Sequence, residues 1–172
     1  AGAVSQPLTI DGAGNTTISV AIANTVSTLT KLNTGTLILS AANLYTGDTT
    51  ISGGKIQLGN TAALPSGSGK GNIIDNATLD LAGFSQTING LSGSGIVDNS
   101  TVSTPTLTIG SNNATGAANT FDGVIINTTG TVAITKTGTG TLTLSGINTY
   151  GGLTTVSQGI VSVKNNAALG NT

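Results

Sequence analysis

Short stretches in which apolar residues alternate with Thr, Ser, Asp or Gln recur along the whole chain. Clear examples are Ile56-Gln57-Leu58, Leu79-Asp80-Leu81, Leu107-Thr108-Ile109, Leu142-Thr143-Leu144 and Val161-Ser162-Val163. Alternation with a period of two, ended by Gly or Asn, is typical of short strands that are buried on one side. Pairs of stretches such as those at Ile56 and Leu79, or at Leu142 and Val161, lie within about 17 to 25 residues of each other, which is typical of one coil of a β-solenoid rather than of a hairpin.

A long segment occurs twice without gaps, at a constant offset of 105 residues that takes Lys31 to Lys136. The two copies span 31–64 and 136–169, and residues 71–126 join them as further coils of the same kind. No stretch between 1 and 172 has the composition of a linker, so we predict a single domain. Matched positions include Gly35 with Gly140, Asn43 with Asn148, Tyr45 with Tyr150, Gly54 with Gly159 and Asn60 with Asn165.

These patterns predict an all-β fold, a parallel β-helix (β-solenoid) of roughly eight coils. Inward Leu, Ile and Val would stack into ladders, and outward Thr and Ser would form ladders about 4.8 Å apart. Gly and Asn would supply the corners. The pairs Asp11-Gly12, Asn89-Gly90 and Asp122-Gly123 leave local hairpins open as an alternative.

The composition supports strands and excludes several classes of site. Only 6% of the residues are charged, and the chain contains no Cys, Met, Trp, His, Arg or Glu. Exposed positions must therefore be Thr, Ser, Asn and Gly, which favour strands and turns over helices. Without Cys there is neither a disulfide framework nor a thiolate metal site. The net charge of −1, without basic clusters, argues against nucleic acid and anionic membranes as partners.

No segment of the sequence is a candidate for membrane insertion. The longest run of Ala, Val and Ile is residues 20–23, which is far too short to span a bilayer. The sequence starts at Ala1 without a basic and apolar leader. We therefore expect either that a signal peptide has been removed or that this is a piece of a longer protein.

The repeated segment resembles the autotransporter-associated β-strand repeat, also called the passenger-associated transport repeat. The resemblance implies a right-handed β-helix at, or released from, a bacterial outer surface, with a role in folding and export rather than catalysis. It fits a fragment of a passenger and a free-standing protein alike. Asp48, Leu153 and Pro65 depart from the family pattern. The resembling residues are 136–146, Asn148-Thr149-Tyr150, Gly152 and Thr154-Thr155-Val156, and, between the copies, residues 79–88, 91–95 and 121–125.

Enzymatic β-helices need a carboxylate pair, or carboxylates with a cation and a basic residue. No two carboxylates are adjacent or separated by one residue, and only Lys or Tyr could assist them. We therefore predict no enzyme activity and assign no catalytic, cofactor-binding or metal-binding residues. Stacked coils could still bring Asp75, Asp80 or Asp98 together. The six carboxylates are Asp11, Asp48, Asp75, Asp80, Asp98 and Asp122.

Three other binding motifs find little support in the sequence. The Gly-Gly-x-Gly-x-Asp calcium repeat is absent. The segment Gly67-Ser68-Gly69-Lys70 lacks the spacing of a phosphate loop and predicts a turn. Thr106-Leu107-Thr108 and the Thr-rich segment 137–141 suggest a flat ice-binding face. That alternative needs one Thr motif per coil, which the variable coil length opposes, and a thermal-hysteresis assay would test it.

The sequence therefore predicts a non-enzymatic extracellular structural protein, a β-helical filament subunit or a surface stalk or adhesin segment. Neither end shows a charged or Pro-rich cap, so we expect end-to-end self-association. The alternatives are an adhesin module that binds glycans through a groove of Asn, Thr and the two Tyr, a polysaccharide-active enzyme and an ice-binding solenoid. We expect the protein to be extracellular or on the outer-membrane surface of a bacterium.

Overall fold

The computed structural model describes residues 5–171, and their regular structure is almost entirely β. One 3₁₀ helix of four residues, Gly116–Asn119, precedes β13. The strands are β1 (Gln6–Ile10), β2 (Thr16–Ile18), β3 (Val26–Lys31), β4 (Thr36–Leu39), β5 (Thr49–Ile51), β6 (Lys55–Leu58), β7 (Ile73–Asp75), β8 (Thr78–Asp80), β9 (Gln86–Ile88), β10 (Leu91–Ser92), β11 (Ile96–Asp98), β12 (Thr106–Ile109), β13 (Thr120–Phe121), β14 (Val124–Ile125), β15 (Ala133–Lys136), β16 (Thr141–Leu144), β17 (Thr154–Val156) and β18 (Ile160–Val163).

The described strands pair only in parallel, and the chain winds through them as a solenoid of eight coils. Face A contains β1, β3, β5, β7 and β10, and it continues through a bridge between Gly93 and Phe121 into β13, β16 and β18. Face B contains β2, β4, β6, β8, β11 and β14, and face C contains β9, β12, β15 and β17. The predicted parallel β-solenoid is confirmed. The Asp-Gly and Asn-Gly pairs do not form hairpins.

The core consists of aliphatic columns that run from coil to coil. On face B, Leu37, Ile56, Leu79 and Val97 lie in register, and each is fully buried. Their strand neighbours on the other side of the backbone point outward. This is the arrangement that the period-two alternation predicts, because successive side chains of a strand point to opposite faces.

The two repeat copies lie on different faces of the solenoid. Lys31 ends β3 on face A, whereas Lys136 ends β15 on face C. The offset of 105 residues is therefore not a whole number of coils, and each repeat position is turned to a new side in the second copy. Equivalent residues share local contacts without sharing a surface.

Glycine is required where one coil presses on the next. A Cβ on Gly35 would lie 2.1 Å from the carbonyl oxygen of Gly14, whereas a Cβ on Gly14 would meet no atom within 4 Å. The repeat partner Gly140 is equally confined, since its Cβ would lie 2.2 Å from the carbonyl oxygen of Ala114.

We predict that Gly35→Ala destabilises the solenoid by more than about 2 kcal/mol, because the backbone of two coils must separate. Gly140→Ala should have a similar effect. Gly14→Ala is the matched control and should change the free energy of unfolding by less than about 0.5 kcal/mol. Urea unfolding followed by circular dichroism measures all three, and equal stability of Gly35→Ala and Gly14→Ala would contradict the stacking.

Candidate functional site

The carboxylates are the first candidates for chemistry, and the structure divides them into two groups. Asp11 and Asp122 are exposed and Asp48 is half-buried, whereas Asp75, Asp80 and Asp98 are buried. The coils bring Asp80 and Asp98 together, since the two residues are register partners at the ends of β8 and β11. Asp75 lies on face A, at the end of β7.

Asp80 is engaged by hydrogen bonds on both of its oxygens. Oδ2 accepts from Ser100 Oγ at 2.7 Å, from Gln57 Nε2 at 2.9 Å and from Lys55 Nζ at 3.3 Å. Oδ1 accepts from the backbone N–H groups of Ala82 at 3.0 Å and Ser100 at 3.1 Å. Burial acts to raise the pKa of Asp80, but the hydrogen bonds from Gln57 and Ser100 outweigh it and lower the pKa below its usual value.

Asp98 repeats this arrangement one coil later. Its Oδ2 accepts from Thr128 Oγ1 at 2.6 Å, and its Oδ1 accepts from the N–H groups of Asn99 at 2.7 Å and Thr128 at 2.8 Å. Each aspartate thus binds both the amide and the hydroxyl of a Ser or Thr in the following coil. The pair stabilises a corner of the solenoid, and the geometry gives neither carboxylate a free oxygen for acid–base chemistry.

The lysines at equivalent repeat positions also have a structural role. Lys31 is buried, and its ammonium donates to the carbonyl oxygens of Leu32 and Asn33. Lys136 is also buried and donates to the carbonyl oxygens of Thr137, Gly138 and Gln158. Burial lowers the pKa of Lys136. Both ammonium groups satisfy turn carbonyls that no backbone N–H reaches, which agrees with the structural role that repetition predicts.

Asparagines hold the coils together at other corners. Asn43 accepts from the N–H of Ile22 at 2.9 Å and donates to the carbonyl of Ala63 at 2.7 Å, so it joins three successive coils. Its repeat partner Asn148 makes the same two bonds, from the N–H of Ile125 and to the carbonyl of Ala168. The sequence identified this pair as equivalent, but its role as a bridge between coils is evident only in the structure.

The expected groove lined by the two tyrosines is wrong. Tyr45 and Tyr150 are 1% and 0% exposed, and their hydroxyls bond Thr49 and Thr154 at 2.6 and 2.7 Å. Burial raises the pKa of Tyr45 above its usual value. The rings fill the core because they are the largest apolar surfaces in a chain that has only 2% aromatic residues.

A polar cleft does lie on the side of face C, where the loop 65–70 projects from the solenoid. Its volume is about 240 Å³, and its walls include Thr61, Ser66, Gln86 and Thr87 beside the apolar Leu64. The loop is fixed by Asn89, which donates to the carbonyls of Gly67 at 3.0 Å and Lys70 at 2.8 Å. This segment is the turn that its glycines predict.

Face C also carries one column of outward threonines, which bears on the ice-binding alternative. Thr87, Thr108, Thr135 and Thr155 lie in register on four successive strands. The variable coil length therefore does not break the column, contrary to the expectation from sequence. The adjacent outward column of face C is mixed, since Thr106 lies beside Ala133, so this face presents one rank of threonines within residues 5–171.

Residues 5–171 contain neither a metal-binding cluster nor a membrane-spanning helix. No group of three or more His, Cys, Asp and Glu side chains could hold a metal ion there. In the same residues, no helix has the length and apolar character needed to cross a membrane.

Comparison with known proteins confirms the resemblance seen in the sequence. Residues 29–58 and 134–163 match the passenger-associated-transport-repeat family. The chain is 41% identical over 153 residues to the adhesin BmaC autotransporter of Brucella suis biovar 1 (strain 1330), a match that covers 88% of this chain and 4% of that protein. The chain thus spans a small part of its relative. No solved structure matches it. These matches place the chain among surface-exposed or outer-membrane-associated bacterial proteins.

We predict that Lys136→Met lowers the free energy of unfolding by about 1.5–3 kcal/mol, because the turn carbonyls lose a charged donor. Lys31→Met should behave similarly. Lys164→Met is the control, since that side chain is exposed and its loss should cost less than about 0.5 kcal/mol. Chemical denaturation compares the three variants, and a neutral effect of both buried substitutions would show that the lysines are dispensable.

Proposed function

Since the chain carries two passenger-associated transport repeats on one solenoid, we propose that it is a non-enzymatic structural segment of a bacterial surface adhesin. It acts as a stalk that extends by stacking coil on coil. The engagement of Asp80, Asp98 and the buried lysines within the fold supports a structural role over a catalytic one.

The observation that supports extension by stacking is the face of the last described coil. Val156 and Val163 are 50% and 45% exposed, whereas Ile109 and Leu144, in the same columns, are fully buried. Ile160 adds further apolar surface. Strands β17 and β18 each have a neighbour on one side only. An unpaired strand edge beside exposed aliphatic side chains favours the addition of another strand.

The first coil presents a surface of the same kind. Among the described residues, β1 pairs with β3 alone and β2 with β4 alone, and Leu8, Ile10 and Ile18 are partly buried. One end can therefore pair with the other through parallel strands and aliphatic contacts. Such a head-to-tail contact is heterologous, so it can repeat without closing and give a filament. In the isolated chain, the added coil comes from a second copy.

We predict that the purified chain forms concentration-dependent species larger than a monomer in sedimentation velocity. Val156→Lys should shift these species to monomer, because it places a charge on the apolar end. Val102→Lys is the control, since Val102 is 90% exposed and lies away from both ends. A wild-type chain that stays monomeric at high concentration would contradict end-to-end stacking.

A second candidate function is glycan binding, which the polar cleft beside face C favours. The cleft is lined by the hydroxyl-bearing residues Thr61, Ser66 and Thr87 beside Leu64 and Pro65, and ligand sites commonly combine polar and apolar groups. The structure provides no exposed aromatic platform there, so we propose weak binding that gains strength when many segments are displayed together.

A glycan array probed with the fluorescently labelled chain tests this second function. We predict that Thr87→Trp abolishes any signal, because the bulky ring fills the cleft. Thr155→Trp, in the same threonine column but at the far end of face C, should leave the signal unchanged. Absence of signal from the wild-type chain at high density would count against glycan binding and leave the stalk proposal untouched.

A further inference from the structure

Asp75 is the least satisfied polar side chain in the described core. It is fully buried, and its Oδ2 is the one buried side-chain nitrogen or oxygen within residues 5–171 that has no hydrogen-bond partner. Its Oδ1 accepts from the N–H of Ala77 at 3.2 Å. The residue lies in register with Ile51 and occupies an interior column that otherwise holds mainly apolar side chains.

The next coil lies directly on this carboxyl group. A Cβ on Gly95 would lie 2.6 Å from Asp75 Oδ1, and a Cβ on Gly93 would lie 2.1 Å from the backbone oxygen of Asp75. The N–H of Gly95 donates to that backbone oxygen at 2.8 Å. An ionised carboxylate at this position cannot gain water unless residues 93–95 above it move. An unhydrated, unpaired charge is costly.

No charge on the packed elements compensates Asp75. Strands β5 and β10, which flank β7, contain no ionisable residue, and neither do β9 and β13. The carboxylates of Asp80 on β8 and Asp98 on β11 accept hydrogen bonds from other groups. The ammonium of Lys31, two strands away in the same column, is directed to turn carbonyls, and Lys55 donates to Asp80.

Strand β10, which pairs with Ile73 and Ile74 immediately before Asp75, makes one of the shortest pairings of face A. Strand β10 has two residues, and the face continues beyond it only through the bridge between Gly93 and Phe121. The segment 110–119, which precedes β13, leaves the regular coil and ends in the 3₁₀ helix. Short strand pairings beside an irregular loop open locally at a lower free energy than strands in the centre of a sheet.

We propose that Asp75 makes the contact between β7 and β10 pH-dependent, so that β10 stays closed over the neutral acid and opens locally when the carboxyl group ionises. The solenoid is then tightest in acidic surroundings and loosens at this one position towards neutral and alkaline pH. The response is confined to this contact, because the other two buried carboxylates, those of Asp80 and Asp98, accept hydrogen bonds on both oxygens.

The direction of the effect follows from the proton balance. Burial raises the pKa of Asp75 to about 7, and the nearby backbone N–H groups of Ala77 and Leu79 act in the opposite direction. The unfolded chain loses the same proton near pH 4. Between these values the folded state holds more protons, so stability is fully present below about pH 4 and is lost as the pH rises to about 7.

Hydrogen exchange of the intact chain tests the proposal at pH 5 and pH 8, after correction for the intrinsic exchange rate. We expect the amides of β7, β10 and Gly95 to lose protection by about tenfold or more at the higher pH. Asp75→Asn should remove this dependence, whereas Asp122→Asn, an exposed acid near the next rung of face A, should retain it. Unchanged protection in the wild type, or persistent pH dependence in Asp75→Asn, overturns the proposal.

A second measurement does not depend on the folding of the variant. The carboxyl carbon of Asp75 in the wild-type chain can be titrated by nuclear magnetic resonance. We expect its midpoint near pH 7. A midpoint near pH 4 would show that the group is hydrated in the native state and would also overturn the proposal.

Discussion

Each strand of this solenoid completes its backbone hydrogen bonds only with the coils above and below it. The N–H of Ser52 donates to the backbone carbonyl oxygen of Lys31, and the N–H of Asn76 donates to that of Ile51, both at 2.9 Å. This ladder continues along face A. A slip of one residue would turn an interior column outward, so register is fixed where strands stack. Differences in coil length must therefore lie in corners and loops, such as 65–70 and 110–119.

The same constraint explains where the few charged and amide side chains are found. At the corners the chain turns, and its backbone groups no longer meet those of the neighbouring coil. Asn43 and Asn148 bridge coils there, the buried lysines bind carbonyls, and Asp80 and Asp98 bind amides and hydroxyls. In a chain with 6% charged residues, these structural roles occupy many of the ionisable side chains that a catalytic site would require.

The sequence predicted the strands, the coil count and the structural role of repeated residues, because all three depend on local alternation and self-similarity. It could not predict which residues share a surface. Asp80 and Asp98 meet because the coil between them is 18 residues long, whereas the coils that follow are longer. The tyrosine groove failed for a related reason, since repeat equivalence does not reveal whether a position faces inward or outward.

Strand parity contained a signal for the buried ions that sequence reasoning did not use. Asp75 has the parity of the inward Ile73, and Lys31 has the parity of the inward Leu29, so both should point into the core. Asp80, by contrast, alternates with the inward Leu79. Inward charge is therefore predictable from a strand of three residues once one neighbour is known to be buried.

Lys31 and Asp75 occupy the same interior column, yet the fold accommodates them differently. Turns leave carbonyl oxygens free, and the long lysine side chain reaches two of them. A buried acid needs N–H donors, and the strand ladder uses those donors to hold the coils together. A solenoid of parallel strands can therefore bind an interior ammonium group through the free carbonyl oxygens of a nearby corner. An interior carboxylate, by contrast, must remain protonated or separate the coils. This asymmetry makes Asp75 the position where the stability of the stack depends on its surroundings.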